Sequence, residues 1–198
     1  MDSESIKIVS AADEAAVNGI LTVAFATCPL LRWMYPEPEQ YLRHFPGFIK
    51  NYCGDAYRLQ SGAYYDNGLK GALLWLTSDA PRNDEDELVP FLRDSTTGHR
   101  RDEVLNMFEK FHHYHPTNPF WYFTVLGIDP LHQRKGLGGK LFRQALTLCD
   151  RAKAVAYGEA TRESTARLYE TLGFEVLDVV QFGSSPPFYP VRREPQQV

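Results

Sequence analysis

Between Leu126 and Lys140 the chain reads Leu-Gly-Ile-Asp-Pro-Leu-His-Gln-Arg-Lys-Gly-Leu-Gly-Gly-Lys, a spacing of glycines and cations suited to holding an anion. Gly136, Gly138 and Gly139 let a phosphate approach the backbone. Leu137, Leu141, Phe142, Ala145, Leu146 and Cys149 then recur at helical spacing, with Lys140, Arg143, Gln144 and Thr147 between them. The loop therefore opens into an amphipathic helix. A helix start carries unpaired N–H groups at the positive end of its dipole. Glycines placed there make an anion cradle, and Arg134, Lys135 and Lys140 add positive charge around it. Upstream, Phe120 to Ile128 is almost all aromatic, β-branched or aliphatic and reads as a buried strand, stopped by Asp129-Pro130.

Spacing separates the phosphate loops that such a strand and helix can carry. A dinucleotide fingerprint, G-x-G-x-x-G, begun at Gly136 and Gly138 needs glycine at position 141, where the chain has Leu141. A Walker loop ending at Gly139-Lys140 needs glycine at 134 and a hydroxyl at 141, and the chain has Arg134 and Leu141. The pattern that is filled is Arg/Gln-x-x-Gly-x-Gly/Ala, by Gln133, Gly136 and Gly138. Downstream, Ala154 to Thr161 reads as a strand and helix entry. Ala166-Arg167-Leu168-Tyr169-Glu170-Thr171-Leu172-Gly173-Phe174 reads as a helix stopped at Gly173, followed by another strand. In these two motifs, their order and their separation, the chain resembles the GCN5-related N-acetyltransferases (GNAT) from about Phe120 to Phe182. His115 to Ile128 is similar to the puromycin N-acetyltransferase-like subgroup, which does not fix the acceptor, since one fold serves many amines.

The resemblance implies the acyl-CoA N-acyltransferase fold, acetyl-CoA as co-substrate and no metal. It also implies direct transfer, in a ternary complex, to the primary amine of a small molecule. The alternatives it leaves are a protein or peptide acceptor, or a non-catalytic acyl-CoA-binding regulator. It assigns the pyrophosphate to backbone N–H groups spanning Arg134 to Gly139, within a cofactor-binding set of Gln133, Arg134, Lys135, Gly136, Leu137, Gly138, Gly139 and Lys140, and the pantetheine to the strand edge at Leu126, Gly127 and Ile128. The N–H of Leu126 becomes the oxyanion donor, with Gly127 providing a bulge or a close approach. Tyr169 is the expected acid for the leaving thiolate, because a phenol with a pKa of about 10 can donate to it; the competing assignment is packing against the sheet. Glu159 is the expected base for an amine that arrives protonated; the competing assignment is a carboxylate at a helix N-terminus. Many relatives carry asparagine seven residues before the tyrosine. This chain has Arg162 there, so that residue's contacts do not carry over. Trp33, Tyr35 and His115 are candidates for the acceptor side, with core packing as the competing reading. His112 and His115 have i,i+3 spacing, but no third ligand of matching type is evident.

These residues must be positioned by a scaffold of ordinary size. With 198 residues and 43% hydrophobic content, one domain over 1–194 with a loose tail at 195–198 is the economical division. The net charge of −4 argues against a general nucleic-acid binder. No apolar run reaches the ~18 residues of a membrane span. The acidic start Met1 to Ser5 lacks a secretory pattern. Cys28, Cys53 and Cys149, odd in number and without CxxC, read as reduced core residues. A cytoplasmic monomer or homodimer is the expectation. A strand over Ile6 to Val9 leads into a helix capped by Ser10, running to about Thr27 with Ala15, Ile20, Val23, Ala24 and Phe25 inward. Leu30 to Pro38 reads as a loop, and Glu39 to Tyr52 as a helix. Strands over Tyr57 to Tyr65 (in two pieces) and Gly71 to Thr77 flank the turn Asp66-Asn67-Gly68. Helical pieces follow over Asp84 to Arg93 and Arg101 to His113, and Phe188 to Arg193 supplies a last strand. The total is an α/β fold: a mixed, twisted central sheet of about seven strands with helices on both faces.

Overall fold

The structure, a computed structural model, describes residues 5–65, 67–81 and 84–197, with the side chains of all of these but Asp84 and Glu85. Strand β1 (Ile6–Ile8) is followed by a short 3-10 turn in which the Ser10 N–H and hydroxyl both donate to the Asp13 carboxylate. Helix α1 (Glu14–Phe25) buries Val17 and Leu21, one turn apart. Val23, expected inward, is 51% exposed, and Ala15 is exposed as well; Val17 and Leu21 form the stripe that meets the sheet. The segment after Cys28 is not a loop. Pro29 sits at the first position of a short helix, α2 (Pro29–Met34), where a proline's missing N–H costs nothing. Helix α3 (Pro38–Cys53) follows.

Only Gly62–Tyr65 of the expected Tyr57 to Tyr65 segment is strand (β2), because Ala56 to Gln60 closes into turns that return the Ser61 N–H to the Ala56 carbonyl. Strand β3 (Gly71–Leu76) pairs with β2. Asp66 of the intervening turn lies outside the described residues. Helices α4 (Val89–Ser95) and α5 (Gly98–Phe111) meet at Thr96-Thr97, inside the break expected between Arg93 and Arg101. The remainder matches the sequence reading closely: β4 (Phe120–Ile128), α6 (Leu137–Arg151), β5 (Val155–Ala160), α7 (Glu163–Glu170), β6 (Glu175–Val176) and β7 (Tyr189–Arg193).

The seven strands lie in the order β1-β2-β3-β4-β5-β7-β6, antiparallel except for β4 beside β5. Each face of this sheet has its own core. On one side Val17, Leu21, Phe45, Ile49, Phe108 and Phe111 cover it from α1, α3 and α5. On the other, the apolar stripe of α6 (Leu141, Phe142, Ala145, Leu146, Cys149) and Tyr169 of α7 pack against Leu73, Phe123 and Ala156. Cys28, Cys53 and Cys149 are all buried free thiols. Among the described residues, no helix is long and apolar enough to cross a membrane.

Candidate active site

The site begins where β4 and β5 part. Their parallel register runs from Phe120↔Val155 to Phe123↔Gly158 and stops, whereas β4 stays with β3 as far as Ile128↔Gly71. The parting coincides with a bulge. Val125 faces Leu74 and Phe123 faces Trp75, so Thr124 is the extra residue, and its hydroxyl donates to the Leu74 carbonyl at 3.1 Å. The bulge is therefore at Thr124 and not at Gly127. Gly127 has the other property expected of it, a close approach: a Cβ there would lie 2.7 Å from Leu21 Cδ2 and 3.0 Å from Ala24 Cβ, so α1 rests on bare backbone.

Beyond the bulge the ladder fixes which amides face the gap. The Asp129 N–H donates to Lys70 O at 2.9 Å, one rung past Ile128↔Gly71. Alternate residues of an antiparallel strand face their partner. Gly127 and Val125 hence turn their amides to β3, and Leu126 and Ile128 turn theirs to the side that β5 has left. There the Ile128 carbonyl accepts from Gln133 Nε2 at 3.0 Å, tying the loop to the end of the strand. The gap is a cleft of about 380 Å³.

One wall of the cleft is the start of α6. Arg134 (φ 60°) and Gly136 (φ 78°) both take left-handed backbone, which curls the loop into the helix, and the first intrahelical bond is Lys140 N–H to Gly136 O. The N–H groups of Leu137, Gly138 and Gly139 thus precede the intrahelical ladder. Gln133, Arg134, Gly136, Leu137, Gly138 and Gly139 line the cleft opposite Leu126, Gly127 and Ile128. A Cβ on Gly138 would stand 3.5 Å from Leu126 and 3.7 Å from Leu168, directly across the gap. Two expected contributors fall outside the lining: Lys135 Nζ turns back to the Leu131 carbonyl, and Lys140 is exposed on the helix.

Tyr169 and Glu159 both line this cleft. The Tyr169 ring packs on Phe142 and Phe174, and its phenol is raised above its ordinary pKa by burial and by the Glu159 charge, so it keeps its proton. Glu159 lies within β5, ahead of the Arg162 cap of α7, with its side chain only 4% exposed. Tyr122 donates to Oε2 at 2.7 Å, and Tyr52, whose hydroxyl is 2.5 Å from that of Tyr122, reaches the same oxygen at 3.3 Å. The other oxygen, Oε1, has no hydrogen-bond partner among the described residues. Burial and the Glu159 charge push the Tyr122 phenol well up, and it remains a donor.

The acceptor-side expectations fare unevenly. Trp33 donates to Ser184 Oγ at 3.0 Å and lies under Arg100, and Tyr35 is buried with its hydroxyl 2.9 Å from Ser95 Oγ. Neither lines the cleft, because the short helix α2 turns both away from it. His115 lines a neighbouring cavity. Arg162 does line the cleft, and its guanidinium is held by the Thr27 carbonyl and hydroxyl. The sequence reading missed Tyr52, Tyr122 and the apolar floor formed by Phe45, Phe48, Phe108 and Phe111. Tyr122 was discoverable, since strand alternation puts it on the face of Thr124 and near Glu159. Tyr52 and the floor come from remote helices and left no local signal.

A bulged strand parting from its parallel neighbour over a glycine-led helix start is the architecture of acetyltransferases of the GNAT class. Residues 99–176 match the family model described as acetyltransferase (GNAT) domain. Among solved structures it is similar to a histone acetyltransferase HPA2 and related acetyltransferase from Corynebacterium glutamicum (21% identity, 98% of this chain and 97% of that one, TM-score 0.68). It is also similar to arylalkylamine N-acetyltransferase 2 from Aedes aegypti (13% identity, 97% and 99%, TM-score 0.66). A third is a polyamine N-acetyltransferase from Drosophila melanogaster that forms N-acetylagmatine (13% identity, 95% and 96%, TM-score 0.65). At these identities the structural likenesses concern the fold.

Proposed function

We propose that this protein transfers the acetyl group of acetyl-CoA to the primary amine of a small molecule by direct attack. The observation that carries this is the convergence, in one cleft, of the open β4 edge, the α6 start, Glu159 and Tyr169. The α6 start suits the pyrophosphate, since free N–H groups and a positive dipole end meet there. The outward amides of Leu126 and Ile128 suit an extended pantetheine laid along β4 as an extra strand. With the thioester so held, the Leu126 N–H is the donor for the oxyanion. Glu159 takes a proton from the incoming ammonium, the neutral nitrogen attacks the thioester carbon, the C–S bond breaks as Tyr169 protonates the sulfur, and the acylated nitrogen gives up its second proton, which restores the Tyr169 phenol.

The apolar floor of Phe45, Phe48, Phe108 and Phe111 supports a small acceptor with an apolar body, where a peptide would call for an open groove. The names of two structural neighbours, an arylalkylamine and a polyamine acetyltransferase, and the likeness of His115 to Ile128 to the puromycin-type subgroup suggest the amines to try. The test is acceptor-dependent release of free thiol from acetyl-CoA across arylalkylamines, aminonucleosides and polyamines. Turnover with at least one of them supports the proposal. Tight acetyl-CoA binding with no release for any amine would favour a non-catalytic acyl-CoA sensor.

A further inference from the structure

Behind Glu159 lies a second cavity, of about 360 Å³, lined among others by Arg93, Glu109, His112, His115 and Tyr122. The two cavities share Tyr52, Phe108 and Phe111, but Glu159 lines the cleft and not the second cavity, and His115 lines the second cavity and not the cleft. Glu159 and His115 thus stand back to back in the wall between them. Their facing atoms are peculiar. Glu159 Oε1 and His115 Nε2 are both buried, neither has a hydrogen-bond partner among the described residues, and they lie 3.7 Å apart. An unsatisfied buried polar atom costs about 1–3 kcal/mol, and two that face each other call for an explanation. The surroundings hold this arrangement. Tyr52 and Tyr122 both occupy Oε2, which leaves Oε1 to face the histidine, with the Tyr157 hydroxyl, also buried and without a hydrogen-bond partner among the described residues, interacting with the same carboxylate. The imidazole is fixed by ring contacts to His112, Phe120, Tyr122 and Tyr157 at 5.0–5.3 Å.

We propose that His115 is a proton relay, carrying the proton that Glu159 takes from the amine out of the cleft and into the second cavity. The inference rests on the acetyltransferase reading above. The acceptor's N–H bond breaks and an O–H bond forms on Glu159, leaving a neutral amine. That proton then passes to Nε2 of neutral His115, directly after a small side-chain rotation or through one water, and restores the carboxylate. The imidazolium releases a proton from its other ring nitrogen into the second cavity. Only protons move, and both groups end as they began. The relay matters because a buried carboxyl that stays protonated cannot serve the next amine, and the bound cofactor and acceptor would block its own route to water. The titratable and charged groups around His115 are Glu159 and Tyr157 from β5, Tyr122 from β4, Tyr52 from α3, His112 beside it, and Glu109 and Arg93 across the second cavity.

The test is the pH dependence of turnover for wild type, His115→Ala and His115→Gln, with and without added imidazole, using whichever amine the wild-type protein accepts. The relay predicts that His115→Ala lowers kcat on the order of 10-fold to 10²-fold near neutral pH without changing KM for acetyl-CoA. It also predicts that the deficit shrinks at high pH, where the amine arrives neutral, and that imidazole restores turnover in proportion to its concentration. His115→Gln, which keeps a polar contact to Glu159 but cannot pass a proton, should be as slow as the alanine variant; it carries the pH test if the alanine variant does not fold. Wild-type kcat and pH profile in both variants would overturn the relay. So would a deficit equal at every pH and unmoved by imidazole, which marks a packing role. Absence of turnover in the wild-type protein with every amine would instead defeat the acetyltransferase reading on which the relay stands.

Discussion

A phenol that remains protonated at neutral pH is a suitable acid for a departing thiolate, and burial beside the Glu159 charge gives Tyr169 that property. Replacing it tests the assignment cleanly, because its ring packs on Phe142 and Phe174 and phenylalanine preserves that packing. Tyr169→Phe should lower kcat on the order of 10²-fold while calorimetric affinity for acetyl-CoA and thermal stability stay near wild type; undiminished turnover would remove the tyrosine from the mechanism. Glu159 and Tyr169 were legible because each sits at a fixed place in a recognisable strand or helix motif. The residues that give Glu159 its surroundings were less so. Tyr52 is 107 positions away and Tyr122 is 37, and they meet it only once α3 and β4 have packed. For the same reason Trp33 and Tyr35, aromatic residues in an expected loop, were assigned to the acceptor pocket. They pack elsewhere because Pro29 starts a helix that reorients them.

At the scale of elements, the cleft exists because β4 bends at Thr124 and leaves β5 after Phe123. The strand, the loop and α6 were readable to within a residue, since their apolar periods are long and bounded by proline and glycine. The bulge was not, because nothing in Thr124 itself distinguishes an extra strand residue; only pairing with β3 reveals it. The two glycines flanking the cleft do different work. Gly127 accommodates α1, so Gly127→Ala should cost about 1–3 kcal/mol of unfolding free energy, read from urea titrations, through overpacking against Leu21 and Ala24. A Cβ on Gly138 would meet Leu126, Ile128 and Leu168 at ordinary contact distance, so a small side chain fits and a large one must extend into the cleft. Gly138→Trp should leave the unfolding midpoint nearly unchanged and abolish acetyl-CoA binding. A tryptophan variant that binds as well as wild type would mean that the pantetheine does not cross this gap.

At the scale of the molecule, the edge of the sheet beyond β5 is clamped by one buried ion pair. Arg193 of β7 makes two hydrogen bonds to Asp150 of α6, at 2.7 and 2.9 Å, and a third to the Leu172 carbonyl, and the Gln196 N–H adds a bond to Asp150. These bonds, the guanidinium first, hold the Asp150 carboxyl below its usual pKa. A carboxyl depressed in the folded state stabilises fully above its unfolded pKa of about 3.9, and that stability is lost as pH falls through the lower folded value. Asp150→Asn should therefore cost about 3–5 kcal/mol at pH 7, since it strands a buried guanidinium. The gap to wild type should begin to narrow in urea titrations as pH falls below about 3.9 and keep narrowing as it falls further. No motif announces this pair, because its partners lie 43 positions apart on elements that meet only in the finished fold. The sheet, its helices on both faces and the cleft between β4 and α6 all bear on one proposal, that the parted β4 edge and the α6 start hold acetyl-CoA. Isothermal titration with acetyl-CoA, with ATP and NADH as controls, tests it most directly. Selective micromolar binding to the wild-type protein that disappears in Gly138→Trp is the predicted result. A folded wild-type protein that does not bind acetyl-CoA, or that binds ATP or NADH equally well, would contradict it.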